Sequence, residues 1–208
     1  MDIAAIAARA PVIPVLTIDR LETAVPLARA LVKGGLPVLE ITLRTEAALQ
    51  ALELISREVP GAVVGAGTVL DEKQVEQVQR AGARFGVSPG CTAELAMAVS
   101  AAGLPFLPGV QTISEAMTLA DKGFNLLKFF PADTAGGIGW LKAASAPLAG
   151  LRFCPTGGIG PETAPAYLAL ANVACVGGSW VAPKDAVADG DWGRIERLAV
   201  AASTLKRP

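Results

Sequence analysis

LLKFFPA, residues 126–132, sets one lysine in a run of large apolar residues. In an extended chain alternate side chains share a face, so Leu126, Lys128 and Phe130 point one way while Leu127 and Phe129 point the other. The second face is uniformly apolar and suits packing against helices. Lys128 is thereby sent to the opposite side of the sheet, where an ionised ammonium out of water costs several kcal/mol unless it is paired or gives up its proton. The same parity holds in VLEITLR, residues 38–44. Leu39, Ile41 and Leu43 form an apolar face, and Glu40, Thr42 and Arg44 point away from it. Two strands thus carry ionisable groups toward one shared interior.

Working outward, β-prone runs begin at residues 12, 38, 62, 85, 105, 126, 152 and 173: VIPVLTI, VLEITLR, AVVGAGTV, FGVSPG, PFLPGV, LLKFFPA, RFCPTGG and VACVGGSW. Segments with helical apolar spacing separate them, and most end in glycine (Gly34, Gly82, Gly103, Gly123 and Gly150), as expected of left-handed caps. TISE, residues 112–115, has the form of a capping box. Eight strand–helix units in 208 residues predict an α/β fold, a single (β/α)8 TIM barrel over residues 1–208. MDIAAIAARAP adds a short amphipathic N-terminal helix. A doubly wound open sheet is the runner-up, but GAGTVL lacks the third glycine of a dinucleotide fingerprint and no GK dipeptide exists for a P-loop.

Composition narrows the function. The net charge is −1 and the 18 basic residues are scattered, so nucleic acid and anionic membranes are not the expected partners. Mean hydropathy is high at +0.47. The two long uncharged stretches, between Glu94 and Glu115 and between Glu162 and Lys184, are broken by glycine, proline or asparagine and cannot span a bilayer as one helix. The amino terminus opens with an acid and lacks the basic flank of a secretion signal. Cys91, Cys154 and Cys175 are widely spaced without a CxxC pair, which suits a reducing cytoplasm and indicates neither disulfides nor zinc. There is no histidine, so Ser-His-Asp and Cys-His mechanisms are excluded and proton transfer falls to carboxylates, Lys, Tyr or Cys.

Each candidate residue has a plain structural alternative: a strand-end lysine can snorkel to solvent, and Glu40 can pair with Arg44. Converging ionisable groups are costly to bury, however, and structure gains nothing from them that apolar residues would not match. A lysine so placed can attack a carbonyl and form a Schiff base once neutral. Its apolar neighbours and Arg44 oppose the ammonium, Glu40 favours it, and the first two are expected to prevail.

CPTGGIGPET, residues 154–163, and CVGGSW, residues 175–180, each place a glycine pair after a strand, in the loops where many barrels bind phosphate through backbone N–H groups. Glycine lets the backbone approach closely, Pro161 suits a first helical position, and Ser179 adds a hydroxyl donor. Thr68 and Thr156 end strands, where each can bond a ligand oxygen or cap a turn. Pro89 stands at the mouth of the fourth strand, as a pocket wall or a plain turn.

VLEITLRT, GAGTVL, SPG, KFFPA, RFCPTGGI and GGSW together resemble the motifs of the bacterial 2-keto-3-deoxy-6-phosphogluconate (KDPG) aldolase family, over nearly the whole chain. The resemblance implies a class I lyase with no metal or other cofactor, acting in the Entner–Doudoroff pathway on a small phosphorylated sugar acid and yielding pyruvate and glyceraldehyde 3-phosphate. It implies Lys128 as the Schiff-base amine and Glu40 as general acid and base. Arg44 and Thr68 would hold the carboxylate, Pro89 and Phe130 would line the pocket, and Thr156 would sit near the C4 hydroxyl. Gly157, Gly158, Gly178 and Ser179 would hold the phosphate. It also implies a homotrimer, and activity on 4-hydroxy-2-oxoglutarate in many members. A galactonate-type relative and a non-catalytic sugar-phosphate-binding barrel are the alternatives.

Overall fold

The computed structural model describes residues 2–206. Among them β-strands alternate with helices in chain order: α1 Ile3–Ala7, β1 Val12–Leu16, α2 Ala24–Lys33, β2 Val38–Thr42, α3 Ala48–Glu58, β3 Val63–Gly67, α4 Glu72–Arg80, β4 Phe85–Val87 and α5 Ala93–Ala102. The second half runs β5 Phe106–Leu107, β6 Gly109–Val110, α6 Ile113–Ala120, β7 Leu126–Phe129, α7 Gly137–Ser145, β8 Arg152–Pro155, α8 Ala164–Leu168, β9 Val176–Gly178, α9 Lys184–Asp189 and α10 Trp192–Ser203. Every named pairing is parallel, as crossover helices require.

The strands form a curled six-stranded sheet in the order β5-β4-β3-β2-β1-β9 and a three-stranded sheet in the order β6-β7-β8. The expected single strand PFLPGV is divided. Pro108 has no N–H to give to a ladder and stands at the break between β5 in one sheet and β6 in the other. Isolated bridges Phe153↔Val173 and Thr156↔Gly177 connect β8 to the β9 segment.

Strand parity sorts the core into two layers. Leu39, Ile41, Leu127, Phe129 and Phe153 face outward into the larger cluster with the helices. Ile13, Val38, Val63, Phe85, Leu107, Leu126 and Cys154 belong to a second cluster inside the curl, joined by Ile6 and Ala7 of α1. Outside, Trp140 of α7 stacks on Phe129 with centroids 4.3 Å apart and meets Phe153 edge-on at 5.4 Å. Aromatic contacts of this kind add to the burial itself.

Helix starts follow local chemistry. Asp71, Thr92 and Thr112 each accept a backbone N–H with their side chains, and Thr112 with Glu115 completes the expected capping box. The Gln111 and Thr112 backbone N–H groups donate to the Glu115 carboxyl and hold it below its usual range. Left-handed glycines follow α4, α5 and α6 at Gly82, Gly103 and Gly123, whereas after α2 that conformation falls on Gly35 rather than Gly34, and Gly150 does not adopt it. Pro161 is not a first helical residue either: it lies in a turn three residues before α8. No helix among the described residues is long and apolar enough to cross a membrane.

Phe153 is wholly buried between β8 and α7. Phe153→Ala is expected to cost about 3–5 kcal/mol, read as a lowered urea midpoint.

Candidate active site

The amine of Lys128 and the carboxylate of Glu40 meet across the space inside the curl. β7 brings Lys128 from the three-stranded sheet and β2 brings Glu40 from the six-stranded one, and Lys128 Nζ donates to Glu40 Oε1 at 3.2 Å. Only 5% and 3% of the two side chains are exposed. The Phe130 ring lies 5.4 Å from the amine, within range of a cation–π contact. Parity had placed both groups on the inner side, and the structure brings them together.

Arg44 departs from the expectation. β2 ends at Thr42, so Arg44 occupies the turn beyond it and is exposed. Its Nε donates to Thr68 Oγ1 at 3.2 Å. The group of this segment that pairs with Lys128 is therefore Glu40, while Arg44 pairs with Thr68. Thr68 itself has φ 62, a left-handed conformation that a β-branched residue rarely adopts. Backbone strain of this kind costs about 1–3 kcal/mol and persists where surrounding structure enforces it. Here it sets the Thr68 hydroxyl beside the Arg44 guanidinium just past the ends of β2 and β3.

The inner residue Thr42 is wholly buried and donates from Oγ1 to the Leu16 carbonyl at 2.9 Å, tying β2 to β1. Pro89 follows β4, and its carbonyl group packs so tightly on Gly109 that no Cβ would fit there. Gly109 in turn pairs with Lys128, which brings Pro89 to the same rim. Ser88, wholly buried just before it, accepts from the Gly109 N–H at 3.4 Å. The sequence reading passed over Ser88, whose signal was a polar residue closing the apolar run FGV.

The glycine loops lie side by side, because Thr156 bridges to Gly177. Thr156 is buried, with Oγ1 at 3.4 Å from the Cys154 carbonyl. Gly157 and Gly158 both have positive φ, 99 and 77. The Gly157 carbonyl accepts from Asp133 N, and a Cβ on Gly158 would collide with the Asp133 side chain. Asp133 is a second feature the sequence reading missed: burial, then its negative charge, raise the Tyr167 hydroxyl above the usual range. Gly178 ends β9 under the Trp180 ring, and Ser179 is exposed beyond it.

Other chemistry is poorly provided for. Burial pushes the Cys91 thiol up to about 11, so it stays protonated near neutrality and is no thiolate nucleophile. Cys154 and Cys175 are buried. Among the described residues no three His, Cys, Asp or Glu side chains gather as a metal site. A cavity of about 920 Å³ opens at the other ends of the strands against α1, and neither Lys128 nor Glu40 lines it.

The family model described as KDPG and KHG aldolase matches residues 3–198. The chain is 52% identical over 189 residues to the 2-dehydro-3-deoxy-phosphogluconate aldolase of Pseudoalteromonas atlantica, covering 91% of this chain and 88% of that one. It superimposes with a TM-score of 0.96 on the KDPG aldolase of Legionella pneumophila, solved with pyruvate captured at low pH as a covalent carbinolamine. That protein is 48% identical, with 98% and 99% of the two chains covered. The 2-keto-3-deoxy-6-phosphogluconate aldolase of Zymomonas mobilis ZM4, solved with 3-phosphoglycerate, gives a TM-score of 0.94 at 48% identity, covering 99% and 97%. With a lysine and a carboxylate paired inside a curled parallel sheet, and relatives at about half identity along nearly its full length, the chain belongs to the KDPG and KHG aldolase family.

Proposed function

We propose that this protein is a Schiff-base aldolase that cleaves 2-dehydro-3-deoxy-6-phospho-D-gluconate to pyruvate and D-glyceraldehyde 3-phosphate. The observation that carries this reading is the buried contact between Lys128 and Glu40. Binding an anion would need neither a buried amine nor a buried base, so a non-catalytic sugar-phosphate barrel is the poorer account. The identity to gluconate-type relatives favours that substrate over the galactonate epimer. The family description supports a second substrate, 4-hydroxy-2-oxoglutarate, split to pyruvate and glyoxylate.

In this reading Glu40 takes a proton from Lys128 as the ketone enters, and the freed amine attacks C2. Glu40 returns that proton to the carbinolamine hydroxyl, which leaves as water, so that a protonated imine and a carboxylate remain. The electron pair of the C3–C4 bond then moves to C3, becoming the enamine double bond as the imine nitrogen is neutralised. Glu40 accepts the C4 hydroxyl proton, and glyceraldehyde 3-phosphate departs. Protonation of C3 and hydrolysis of the imine return the amine and release pyruvate.

Arg44 and Thr68 hold the pyruvate carboxylate, with the guanidinium at the rim offering two N–H donors. Pro89 and Phe130 bound the pocket, and Thr156 meets the C4 hydroxyl. Gly157, Gly158, Gly178 and Ser179 receive the phosphate, and the bridge joining their loops supports that assignment. The two sheets act as one closed (β/α)8 barrel, with β5 and β6 as a single broken position and α1 as an additional N-terminal helix. The continuous inner cluster and the bridges from β8 toward β9 support this. Residues 1–208 form one domain, working in the cytoplasm as a homotrimer without a cofactor, within the Entner–Doudoroff pathway.

Borohydride reduction with pyruvate tests the reading. One pyruvate-derived mass per chain, mapped to Lys128, is expected, and none in Lys128→Ala, which should also show no cleavage; pyruvate release at the parent rate by that variant would overturn the assignment. Arg44→Ala is expected to raise KM about tenfold to a hundredfold, the equivalent of one charge-assisted hydrogen bond, with a smaller change in kcat. The double variant Lys128→Met/Glu40→Leu removes a buried ion pair in favour of apolar side chains. It should be inactive yet melt no lower than the parent, as measured by circular dichroism.

A further inference from the structure

β3 presents almost nothing to the interior beside Glu40. Glu40 pairs in register with Gly65 and Thr42 with Gly67, so both glycines face inward with them. The space over Gly65 is filled by the Phe85 ring. The space over Gly67 is filled by Glu40 itself: a Cβ built there would collide with Oε1 and would lie 2.7 Å from Cγ and 2.9 Å from Cδ. Gly67 does not have a positive φ, so its backbone would accept alanine without strain. Its carbonyl takes an ordinary bond from Leu43 N at 2.8 Å. The missing side chain is therefore not explained by a turn or a dihedral angle. It is explained by the room that the carboxylate occupies.

We propose that Gly67 is a positioning residue for Glu40: the bare β3 surface is the slot that seats the carboxylate against Lys128 and sets it over the carbon it deprotonates. This rests on the acid–base role given to Glu40 above. The contact to Lys128 is 3.2 Å long, close to the limit of a good hydrogen bond, so displacing the carboxylate by about an ångström breaks it. The amine keeps its place on β7. A displaced carboxylate slows imine formation too, but the imine still accumulates on that amine at long incubation, whereas every exchange or cleavage turnover needs the carboxylate in its seat. The final extent of trapping and the rate of proton transfer are therefore separable at this residue.

The step that reads this is exchange of pyruvate methyl protons with solvent. On the Lys128 imine the C3–H bond breaks, its electron pair becomes the C2–C3 double bond of the enamine, and the proton goes to Glu40. Return of a solvent deuteron completes the exchange.

Gly67→Ala is expected to be trapped by borohydride to the same one pyruvate per chain as the parent, while methyl exchange in D2O and cleavage kcat both fall roughly a hundredfold. In the Glu40→Ala background, where the colliding carboxylate is gone, Gly67→Ala should alter neither the residual exchange rate nor the melting temperature. Parent-like exchange in Gly67→Ala would overturn the proposal, as would an equal fold-loss in both backgrounds. If Gly67→Ala fails to fold, Glu40→Ala/Gly67→Ala should fold; persistent unfolding of the double variant would also overturn it. Full exchange by Glu40→Ala alone would instead bring down the acid–base assignment, and this inference with it, whereas loss of trapping in the parent would strike the Schiff base.

Discussion

A buried ion pair between two sheets is the constraint around which the rest of this structure is arranged. Lys128 and Glu40 are almost wholly removed from water, and each is tolerable there only because the other is within hydrogen-bonding reach. Such pairs are poor sources of stability, since well-packed apolar residues do as well or better, and removing one member strands the other. Their retention makes sense when the pair has work to do: a carboxylate that can take a proton from an amine is a means of producing a nucleophile on demand. The enclosing elements serve that pair. Below it the inner apolar cluster excludes water, and α1 closes the cluster with Ile6 and Ala7.

The rim around the pair is built by different means. Arg44 and Thr68 sit just beyond strand ends, in backbone that is irregular and, at Thr68, strained. Rigid strands thus present the paired lysine and carboxylate while the loops present the groups proposed to recognise the ends of a substrate, the division of labour expected where function sits on loops over a fixed scaffold. The glycine loops after β8 and β9 carry no cationic side chain of their own. Their N–H groups and the neighbouring Asp133 make this corner of the rim a hydrogen-bonding surface with little positive charge.

Absent side chains matter as much as present ones. At Gly67, Gly109 and Gly177 a Cβ would strike Glu40, Pro89 and Thr156 respectively. Each of these glycines has an unexceptional φ, so each is needed for space. Three of the groups assigned to the pocket therefore owe their positions to bare backbone facing them. The space inside the curled sheet is narrow, and a side chain that enters it is accommodated where the facing backbone is bare.

Much of this was legible beforehand because it depends on period. Alternation assigned Leu39, Ile41, Leu127 and Phe129 to the helix side and Glu40 and Lys128 to the interior, and TISE announced its capping box, since both are local relations along the chain. Alternation says which side of a sheet a residue faces, but not how far along the strand regular pairing continues or what stands opposite. Hence Arg44, read as the third inward group, proved to lie past the end of β2; PFLPGV divided at Pro108 between two sheets; and Gly67 drew no notice, because a residue without a side chain leaves no pattern to read. By itself the sequence determined the strand–helix alternation and the two inward charges. Only the tertiary structure decided that Glu40 rather than Arg44 meets Lys128, because distance across the interior is set by register and curvature, to which residues 88 positions apart in the chain contribute jointly.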